Sequence, residues 1–579
     1  MLKLYKHLKP YTVTLIGIVI LLFIQAIANL YLPDLMSDIV DKGVINGDNA
    51  YILKVGVYMI GVTLLGTAAM IAATYLISKV SLAFARDLRS KIFNRVESFS
   101  QADIDKVGTS SLITRTTNDV TQVQNVTVSV MKLMITAPLM MIGGVIMAIN
   151  KNSKLSMVLL VSVPLIIIAI SIIGKMGIPL FKSMQGKLDR INLVMRERLN
   201  GIRVIRAFNK SEFESVKFEG ANGDLTSTAI RVNKITALLS PLMMLIMNLT
   251  TVALVWLGAV EINNGSMQVG DLMAVMQYAM QIMFSLLMMA MMFILIPRAA
   301  ASAARINEVL AIEPSINDKE NTKEKSEGKG MIEFKHVSFA YAGAEEPVIK
   351  DISFVTRPGE VTSIIGGTGS GKSTLVSLIP RFYDTTEGEI LLNGVNIKDM
   401  TQESLREKIG FVPQKAVLFS GTIEENIRYG KEDATDEEVR HAASIAQATE
   451  FIENMEDKYK HPISQGGNNV SGGQKQRLSI ARALVRKPEV YVFDDSFSAL
   501  DFKTDAKLRA ALKDETKESA VIVVSQRISA VKDSDRIIVL DEGRAVGIGT
   551  HYDLIRNCDL YKEIALSQLS EEEIENELK

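Results

Sequence analysis

The run GGTGSGKST at 366–374 combines closely spaced glycines with one lysine and several hydroxyl side chains. Glycines at this spacing let backbone N–H groups reach the oxygens of a phosphate chain, and a helix that starts after them turns its positive end toward the same charge. In such a P-loop the lysine contacts the β- and γ-phosphates, and the next hydroxyl binds Mg²⁺. The run predicts a nucleotide site formed by Gly366, Gly367, Thr368, Gly369, Ser370, Gly371, Lys372, Ser373 and Thr374.

Two further sets of polar side chains follow short apolar runs in the second half of the chain. Asp494 and Asp495 end one run, and Ser525 and Gln526 end another. From Met331 onward such β-branched runs alternate with helical patterns, which predicts a parallel sheet with crossover helices. Ligands bind beyond the carboxyl ends of such strands, and Mg²⁺ bound to phosphates takes one or two protein carboxylates. The aspartates therefore suit a metal site, whereas Ser525 and Gln526 alone indicate no particular chemistry.

The first half of the chain is different, because almost all of the long apolar runs lie there. The 579 residues are 48% hydrophobic and only 22% charged, which is typical of a membrane protein. Six runs are long enough to cross a hydrocarbon core that needs about 20 residues, and the need to satisfy backbone groups in lipid predicts that they are helices. The predicted spans are 12–32, 55–77, 126–149, 155–173, 237–260 and 272–296.

These patterns predict a multi-domain protein, with a six-helix all-α transmembrane domain followed by an α/β P-loop nucleotide-binding domain. Helical apolar spacing in the basic segments at 82–96 and 188–199 predicts long cytoplasmic helical extensions of the spans. The polar run DKENTKEKSEGK is too hydrophilic to pack and marks the domain boundary. The predicted divisions are 1–315 for the transmembrane domain, 316–330 for a linker, 331–570 for the nucleotide-binding domain and 571–579 for an acidic C-terminal tail.

The distribution of basic residues predicts the orientation of the spans. Lysine and arginine precede the first span and are concentrated between spans two and three and between spans four and five. Because cytoplasmic loops carry the excess of these residues, both termini are expected in the cytoplasm. The lysines at 3–9, the apolar run and the small residues Ala26 and Ala28 also resemble a secretory signal. The apolar stretch continues beyond that supposed cleavage site, which favours a span.

Composition excludes several classes of protein. The 64 basic and 65 acidic residues give a net charge of -1, so no global basic field exists to hold nucleic acid. The single cysteine, Cys558, cannot form a disulfide within the chain, and five histidines leave little for a clustered zinc site. We therefore expect no nucleic-acid partner, no disulfide scaffold and no zinc enzyme of the usual ligand set.

The run SGGQKQRLSIARAL, which begins at Ser471, carries the strongest likeness to a known family. With the P-loop and the six spans it resembles the ATP-binding cassette (ABC) exporters, and the likeness covers nearly the whole chain. The resemblance implies ATP and Mg²⁺ as ligands, ATP hydrolysis coupled to transport, and a dimer in which each P-loop faces the other subunit's copy of this signature run. The residues that would face the partner's ATP are Ser471, Gly472, Gly473 and Gln474.

The same resemblance assigns roles to individual side chains. Tyr341 would stack on the adenine, and Gln414 would contact the γ-phosphate and the metal and link them to the membrane helices. Asp494 would direct Mg²⁺ together with Ser373. Asp501 would take part in communication across the dimer. These roles follow from the family and not from the spacing of the residues.

Two positions depart from the family pattern. The residue after the Mg²⁺ aspartate is usually glutamate and is Asp495 here, and the residue that ends the later strand is usually histidine and is Gln526 here. The shorter aspartate would leave an attacking water too far away, and glutamine cannot place positive charge near the γ-phosphate. The chain therefore resembles the slowly hydrolysing, weakened-site subunit of heterodimeric exporters. Its partner would be a different half-transporter with an intact catalytic site.

The fifth and sixth spans are rich in methionine, a flexible side chain that suits a surface adapting to varied apolar ligands. Methionine is equally compatible with a lipid-facing surface. The expected substrates are hydrophobic or amphipathic compounds, such as multiple drugs, and a lipid or a peptide is the alternative. The predicted substrate path contains Met243, Met247, Asn248, Met276, Gln277, Met280 and Gln281.

A second class of function stays open, namely an ATP-binding regulatory subunit of a membrane complex that uses the nucleotide as a switch. The methionine-rich spans favour a transporter, whereas the weakened site favours a switch. On resemblance, the protein is expected to be a multi-pass protein of a bacterial inner membrane.

Overall fold

The chain folds into two compact units in this computed structural model, which describes residues 1–319, 322, 330–570, 572 and 574. The first unit comprises Met1–Val96 and Ser110–Ala311, and the second comprises Glu97–Thr109 and Ile312–Lys579. The segment 97–109 falls within the predicted transmembrane domain but packs with the second unit. Most of the predicted linker and of the predicted acidic tail lies outside the described residues.

Six helices among the described residues are long and apolar enough to cross a membrane, which agrees with the predicted fold class. We call them spans one to six. In chain order their helices are Thr12–Asp38, Asn49–Glu97, Val120–Lys151, Ser153–Asn200, Leu239–Asn263 and Val269–Ala311. The other helical segments up to residue 237 are Leu2–Tyr5, Lys6–Tyr11, Ile39–Val44, Gln101–Val107, Thr109–Thr114, Arg115–Asp119, Ile202–Ala207 and Ser211–Ala237.

Polar contacts join helices of the first unit that are distant in sequence. Lys151 at the end of span three lies 2.7 Å from Asp34 of span one and 3.0 Å from Asp271 of span six. Arg305 near the end of span six donates from Nε to Asp119 at 2.7 Å. Ionisable groups among apolar helices are stable only when paired, so these contacts fix how the spans pack.

Two main sheets form the framework of the second unit. Its strands are β1 Ile332–Phe339, β2 Ile349–Thr356, β3 Val361–Gly366, β4 Glu387–Leu392, β5 Val395–Asn396, β6 Ile409–Val412, β7 Gly421–Thr422, β8 Pro462–Ile463, β9 Val490–Asp494, β10 Ala520–Val524, β11 Arg536–Asp541 and β12 Arg544–Gly549. The larger sheet has the order β12-β11-β3-β10-β9-β6 and is parallel except for β12. The smaller one, β2-β1-β4-β5, is antiparallel.

The central strands β9 and β10 are buried at every residue. This explains why their sequences, VYVFD and AVIVV, are nearly continuous apolar runs instead of alternating patterns. Helices of the second unit after residue 370 are Lys372–Ser377, Ile397–Asp399, Gln402–Glu407, Ile423–Arg428, Asp436–Ile445, Thr449–Glu453, Lys458–Lys460, Gln465–Gly467, Gly472–Leu484, Phe502–Glu515, Ile528–Val531, His551–Asn557 and Asp559–Leu566. The alternation of strands and helices confirms the predicted α/β domain.

Candidate nucleotide-binding site

Three neighbouring strands bring the predicted site residues to one edge of the larger sheet. Strand β10 lies between β3 and β9, and Val524 pairs with Ile364 on one side and with Asp494 on the other. Because the three strands are parallel, the segments that follow them begin side by side. The P-loop after β3, the aspartates at the end of β9 and Gln526 after β10 therefore converge, as the sequence pattern predicts.

The P-loop requires glycine at two positions for different reasons. Gly371 has φ +97°, a conformation that side chains rarely adopt, and an added Cβ would lie 2.8 Å from Ile349 Cδ1. At Gly366 an added Cβ would lie only 2.2 Å from the carbonyl oxygen of Leu540. The loop can therefore follow its path, with backbone exposed toward a ligand, only with these glycines.

Lys372 already points its ammonium group into the loop. Its Nζ donates to the carbonyl oxygens of Gly366 at 2.9 Å and of Gly367 at 2.6 Å, and the residue is only 8% exposed. Burial lowers the pKa of this lysine, while Asp495 and Asp494 act in the opposite direction. Phosphate oxygens are stronger acceptors than these carbonyls, so a bound nucleotide would take over the ammonium group.

The residues beside the loop fit Mg²⁺. Ser373 Oγ donates to Asp494 Oδ1 at 2.9 Å, which places a hydroxyl and a carboxylate together at the end of β9. Burial raises the pKa of Asp494, and the neighbouring charge of Asp495 adds to the effect, so a cation would relieve an unfavourable negative charge. Both groups are oxygen ligands of the kind Mg²⁺ prefers. When bound, Mg²⁺ would neutralise phosphate charge.

Asp495 and Gln414 lie close together after strands β9 and β6, and Gln526 follows the neighbouring strand β10. Gln414 Nε2 lies 3.4 Å from Asp495 Oδ2, and burial raises the pKa of Asp495. Asp495 has φ +46°, in the left-handed region where aspartate is among the better tolerated residues. The Gln526 side chain is exposed. The structure thus pairs Gln414 with Asp495 and places Gln526 just after the adjacent strand.

Gln568 is a residue of this region that the sequence analysis missed. Its Nε2 donates to the carbonyl oxygen of Gln526 at 2.8 Å, and its Oε1 accepts from the N–H of Ile528 at 2.8 Å. One side-chain amide therefore holds the backbone on both sides of Arg527. Nothing in the local sequence around Gln568 indicates this contact, because it joins segments 42 residues apart.

Tyr341 lies beside the P-loop with part of its ring exposed. Its hydroxyl is 3.0 Å from Thr374 Oγ1, and its ring packs edge-on against Tyr383 at 5.4 Å between centroids. Tyr383 in turn donates to Asp105 Oδ2 at 2.9 Å. With 39% of Tyr341 exposed, the side chain is accessible to a ligand. The contacts also connect Tyr341 to the short helix Gln101–Val107, which the sequence analysis did not anticipate.

The signature residues form the start of the helix Gly472–Leu484. Ser471 Oγ accepts from the N–H of Gln474 at 3.3 Å, and Gln474 Oε1 accepts from the N–H of Ser471 at 2.8 Å, a reciprocal capping box. A Cβ at Gly472 would meet no atom of the described residues within 4 Å, whereas one at Gly473 would lie 3.1 Å from the carbonyl oxygen of Ala499. No hydrogen bond within the described residues joins these four residues to the P-loop.

Asp501 caps the helix Phe502–Glu515. Its Oδ1 accepts from the N–H of Thr504 at 2.9 Å, and its Oδ2 accepts from the Thr504 hydroxyl at 2.7 Å. The hydrogen bonds from Thr504 lower the pKa of Asp501. In this structure its side chain stabilises a helix start, and a role across a dimer stays a prediction.

The predicted substrate-path residues differ in exposure. Met243 is 4% exposed and lies in the helix-packing core, so it is not accessible in this structure. A face of span six, by contrast, carries exposed residues at helical spacing. Met273, Gln277, Met280, Phe284 and Met288 form this exposed stripe. Half-buried positions beside the core are Met247, Met276 and Gln281, and Asn248 of span five is exposed.

Replacing Asp494 with asparagine should remove most of the Mg²⁺ dependence of ATP binding and stabilise the nucleotide-free protein at neutral pH. The pKa of Asp494 is raised by burial, so the ionised carboxylate is unfavourable above that pKa, and its cost disappears as the pH falls and the group is protonated. The gain in unfolding temperature should therefore be present at neutral pH and shrink as the pH falls toward the ordinary aspartate pKa of about 4. Asp501→Asn is the control. It should lower the unfolding temperature at neutral pH, because the pKa of Asp501 is lowered and its ionised form is favourable in the folded protein. A nucleotide-free Asp494→Asn protein that unfolds earlier than wild type would contradict the prediction.

The six spans and the P-loop domain together define an ATP-dependent membrane transporter subunit. Residues 15–297 match the ABC transporter transmembrane region, and residues 349–498 match the ABC transporter family. An uncharacterised ABC transporter ATP-binding protein of Mycobacterium tuberculosis is 43% identical over 569 residues, which cover 98% of this chain and 97% of the relative. The chain therefore belongs to the ABC transporter family, as an exporter half-transporter and a multi-pass membrane protein.

Two further comparisons describe the range of similar proteins. An ATP-dependent lipid A-core flippase of Vibrio parahaemolyticus is 29% identical over 570 residues, which cover 98% of each chain. A bacterial Atm1-family ABC exporter solved with ATP bound is 26% identical, with a TM-score of 0.80 over 96% of this chain and 98% of that one. These similarities establish the exporter fold, and membership of the family implies ATP binding.

Proposed function

We propose that this chain is the weakened-site subunit of a heterodimeric exporter that moves hydrophobic or amphipathic compounds, including multiple drugs, out of the cytoplasm. The observation that carries the proposal is the grouping of Asp495 and Gln526 at the ends of the adjacent strands β9 and β10. Mg²⁺ and ATP would bind at the P-loop. The membrane would be a bacterial inner membrane, with both termini in the cytoplasm.

The chemistry of these two residues supports a slow site. Phosphoryl transfer depends mainly on positioning and on electrostatic stabilisation. Asp495 is already held by Gln414 and lacks the extra methylene that would extend its carboxylate toward a water. Gln526 is neutral at any pH, so it cannot stabilise the charge that develops on the γ-phosphate. By contrast, the signature residues are intact, and they would complete the catalytic site of a different partner.

The experiment that tests this proposal compares the chain alone with its native complex. A complex purified from native membranes through a tag on this chain should contain a second, different half-transporter and hydrolyse ATP. The chain produced alone should bind ATP but hydrolyse it roughly 100-fold or more slowly, the effect of losing a well-placed catalytic group. Rapid hydrolysis by the chain alone, or a complex that contains only copies of this chain, would overturn the proposal.

The exposed stripe of span six supports a substrate path for apolar compounds. Its methionines can adapt to ligands of different shape, and Gln277 offers a single polar group among them. The stripe lies on one helix face, because its members are spaced by three or four residues. A face of this composition would contact a substrate through apolar surface with few directional bonds, which suits a broad substrate range.

Met280→Trp should change the response of the complex's ATPase to some apolar drugs and not to others. Met280 is 44% exposed on the stripe, so a larger ring would narrow the path for large compounds more than for small ones. The measurement is drug-stimulated ATPase over a panel of compounds. Leu160→Trp, at 75% exposed on span four, is the control and should leave the profile unchanged. If both variants and wild type show the same drug-stimulated ATPase for every compound, the exposed stripe is not part of the substrate path.

A lipid is the second candidate substrate, because one similar protein is named as a lipid A-core flippase. ATPase stimulation by a lipid, but by no drug in the panel, would favour this alternative. A purely regulatory role would be favoured if the reconstituted complex bound ATP at both sites and moved neither class of compound.

A further inference from the structure

A groove of about 900 Å³ lies beside the start of span one, and its lining includes no residue of the nucleotide site or of the exposed stripe. Its walls come from the N-terminal helical segment, the first turns of span one and a stretch of span three. Its volume is within the range of sites that enclose a small organic ligand. The residues of the predicted substrate path do not line it, so the exporter function assigns it no role.

The N-terminal segment is fixed in place by contacts to span two. The Tyr11 hydroxyl donates to Asp87 Oδ2 at 2.7 Å, and Lys91 Nζ donates to His7 Nδ1 at 2.7 Å. The ring of Tyr5 lies 6.4 Å from that of Phe84. These contacts hold the side of the N-terminal segment that faces span two. The position of the residues on its other side, which line the groove, is therefore fixed by packing.

Two lysines line the groove. Lys6 and Lys9 belong to a 3₁₀ helix, Lys6–Tyr11, in which residues three apart lie on the same face. Both are exposed, and neither has a carboxylate partner within 4 Å among the described residues. The groove therefore has two cations on one wall whose charge the described part of the protein does not neutralise.

The remaining walls are mostly apolar. Leu15 of span one and Met131 and Met134 of span three line the groove, and Met134 is 55% exposed. Hydroxyl groups of Thr12 and Thr127 add a small polar part. An inorganic anion would gain nothing from the apolar walls, and a neutral hydrocarbon would gain nothing from the lysines. The combination suits an amphiphile with an anionic head group.

We propose that this groove binds an anionic phospholipid of the leaflet at which span one begins. The phosphate lies against Lys6 and Lys9, at the depth where lysine side chains reach the membrane surface. An acyl chain lies along Leu15, Met131 and Met134. The lipid joins the N-terminal segment to span three and is a resident component of the transporter, separate from the transported substrate. This inference does not depend on the proposed drug specificity or on the weakened site.

The test measures lipid binding to the purified native complex in a neutral detergent. Dioleoyl phosphatidylglycerol or dioleoyl phosphatidylcholine is titrated into the complex, and native mass spectrometry counts the lipid molecules that stay bound. The wild type should retain phosphatidylglycerol in preference, and Lys6→Gln and Lys9→Gln should each weaken its binding about fivefold, with a product of both effects in the double variant. Lys3→Gln removes the same charge from an exposed residue of the same terminus that does not line the groove, and should have no effect.

A second pair of variants tests the apolar wall without changing charge. Met134→Trp should reduce phosphatidylglycerol binding several-fold by filling the groove. Ile142→Trp, at an equally exposed position of span three (55% in both), should not. Equal retention of the two lipids by wild type, or equal losses in each variant and its control, would overturn the proposal. Displacement of the lipid by millimolar inorganic phosphate would overturn it as well, since the site would then bind a soluble anion.

Discussion

Gly472→Asp is expected to reduce the ATPase of the whole complex roughly 100-fold or more. If the signature of this chain closes the partner's active site, the new carboxylate would be held against the γ-phosphate, where water is scarce and like charges repel strongly. The variant should still fold, because a Cβ at Gly472 meets no atom within 4 Å in the part of the chain that the structure describes and an acidic residue is favourable in the first turn of a helix. ATPase rates of the purified complexes provide the measurement.

Two further variants serve as controls for this experiment. Gly472→Asn has the same shape without the charge and should reduce activity less than aspartate does. Asp495→Asn, made in the same complex, should cost only a modest fraction of turnover, because that carboxylate is too short to align a water. If Asp495→Asn proves as damaging as Gly472→Asp, the weakened-site proposal is wrong and this chain hydrolyses ATP in its own right.

Lys372→Ala is expected to reduce the affinity of this chain for ATP roughly 30-fold or more, the effect of truncating one partner of a buried charge pair at about 2–5 kcal/mol. In the structure the ammonium group is directed at the P-loop carbonyls of Gly366 and Gly367, so it is already placed for phosphate oxygens. Binding of a fluorescent ATP analogue to the chain produced alone is the measurement, since no partner site then contributes.

The control for this variant is Lys507→Ala, which removes an exposed lysine from the helix Phe502–Glu515 and should leave affinity unchanged. The unfolding temperature without nucleotide separates loss of the ligand contact from collapse of the loop. Because burial lowers the pKa of Lys372, removal of its charge should not greatly destabilise the empty site. Unchanged ATP affinity in Lys372→Ala would mean that the P-loop of this chain does not bind the nucleotide phosphates.

The nucleotide site could be predicted from sequence because its chemistry is local. The P-loop needs glycines at fixed spacing, and β9 and β10 are buried on all sides, so their apolar runs indicate where the following polar residues lie. Contacts between segments distant in sequence could not be found in this way. Gln568 holds the loop after β10, and Asp105 accepts from Tyr383, but no pattern around either residue signals its partner.

In the membrane-spanning half, too, local sequence patterns predict the helices but not the contacts between residues distant in sequence. Apolar runs of about 20 residues mark each span, yet the helices extend past them wherever the flanking polar residues favour helix. Lys151 and Asp271 lie just outside the predicted spans 126–149 and 272–296. Their ion pair, with Asp34 as a second partner, depends on how three helices pack, which the pattern of a single segment does not contain.

The length of the span two helix makes it a lever arm. Asn49–Glu97 has 49 residues and is about 73 Å long at 1.5 Å per residue, and residues 78–97, after the predicted span, account for about 30 Å of that length. A tilt of only about 5° around the membrane anchor would displace the far end by roughly 2–3 Å. A rotation too small to disturb side-chain packing near the pivot would therefore become a measurable shift between spectroscopic labels placed at the helix tip.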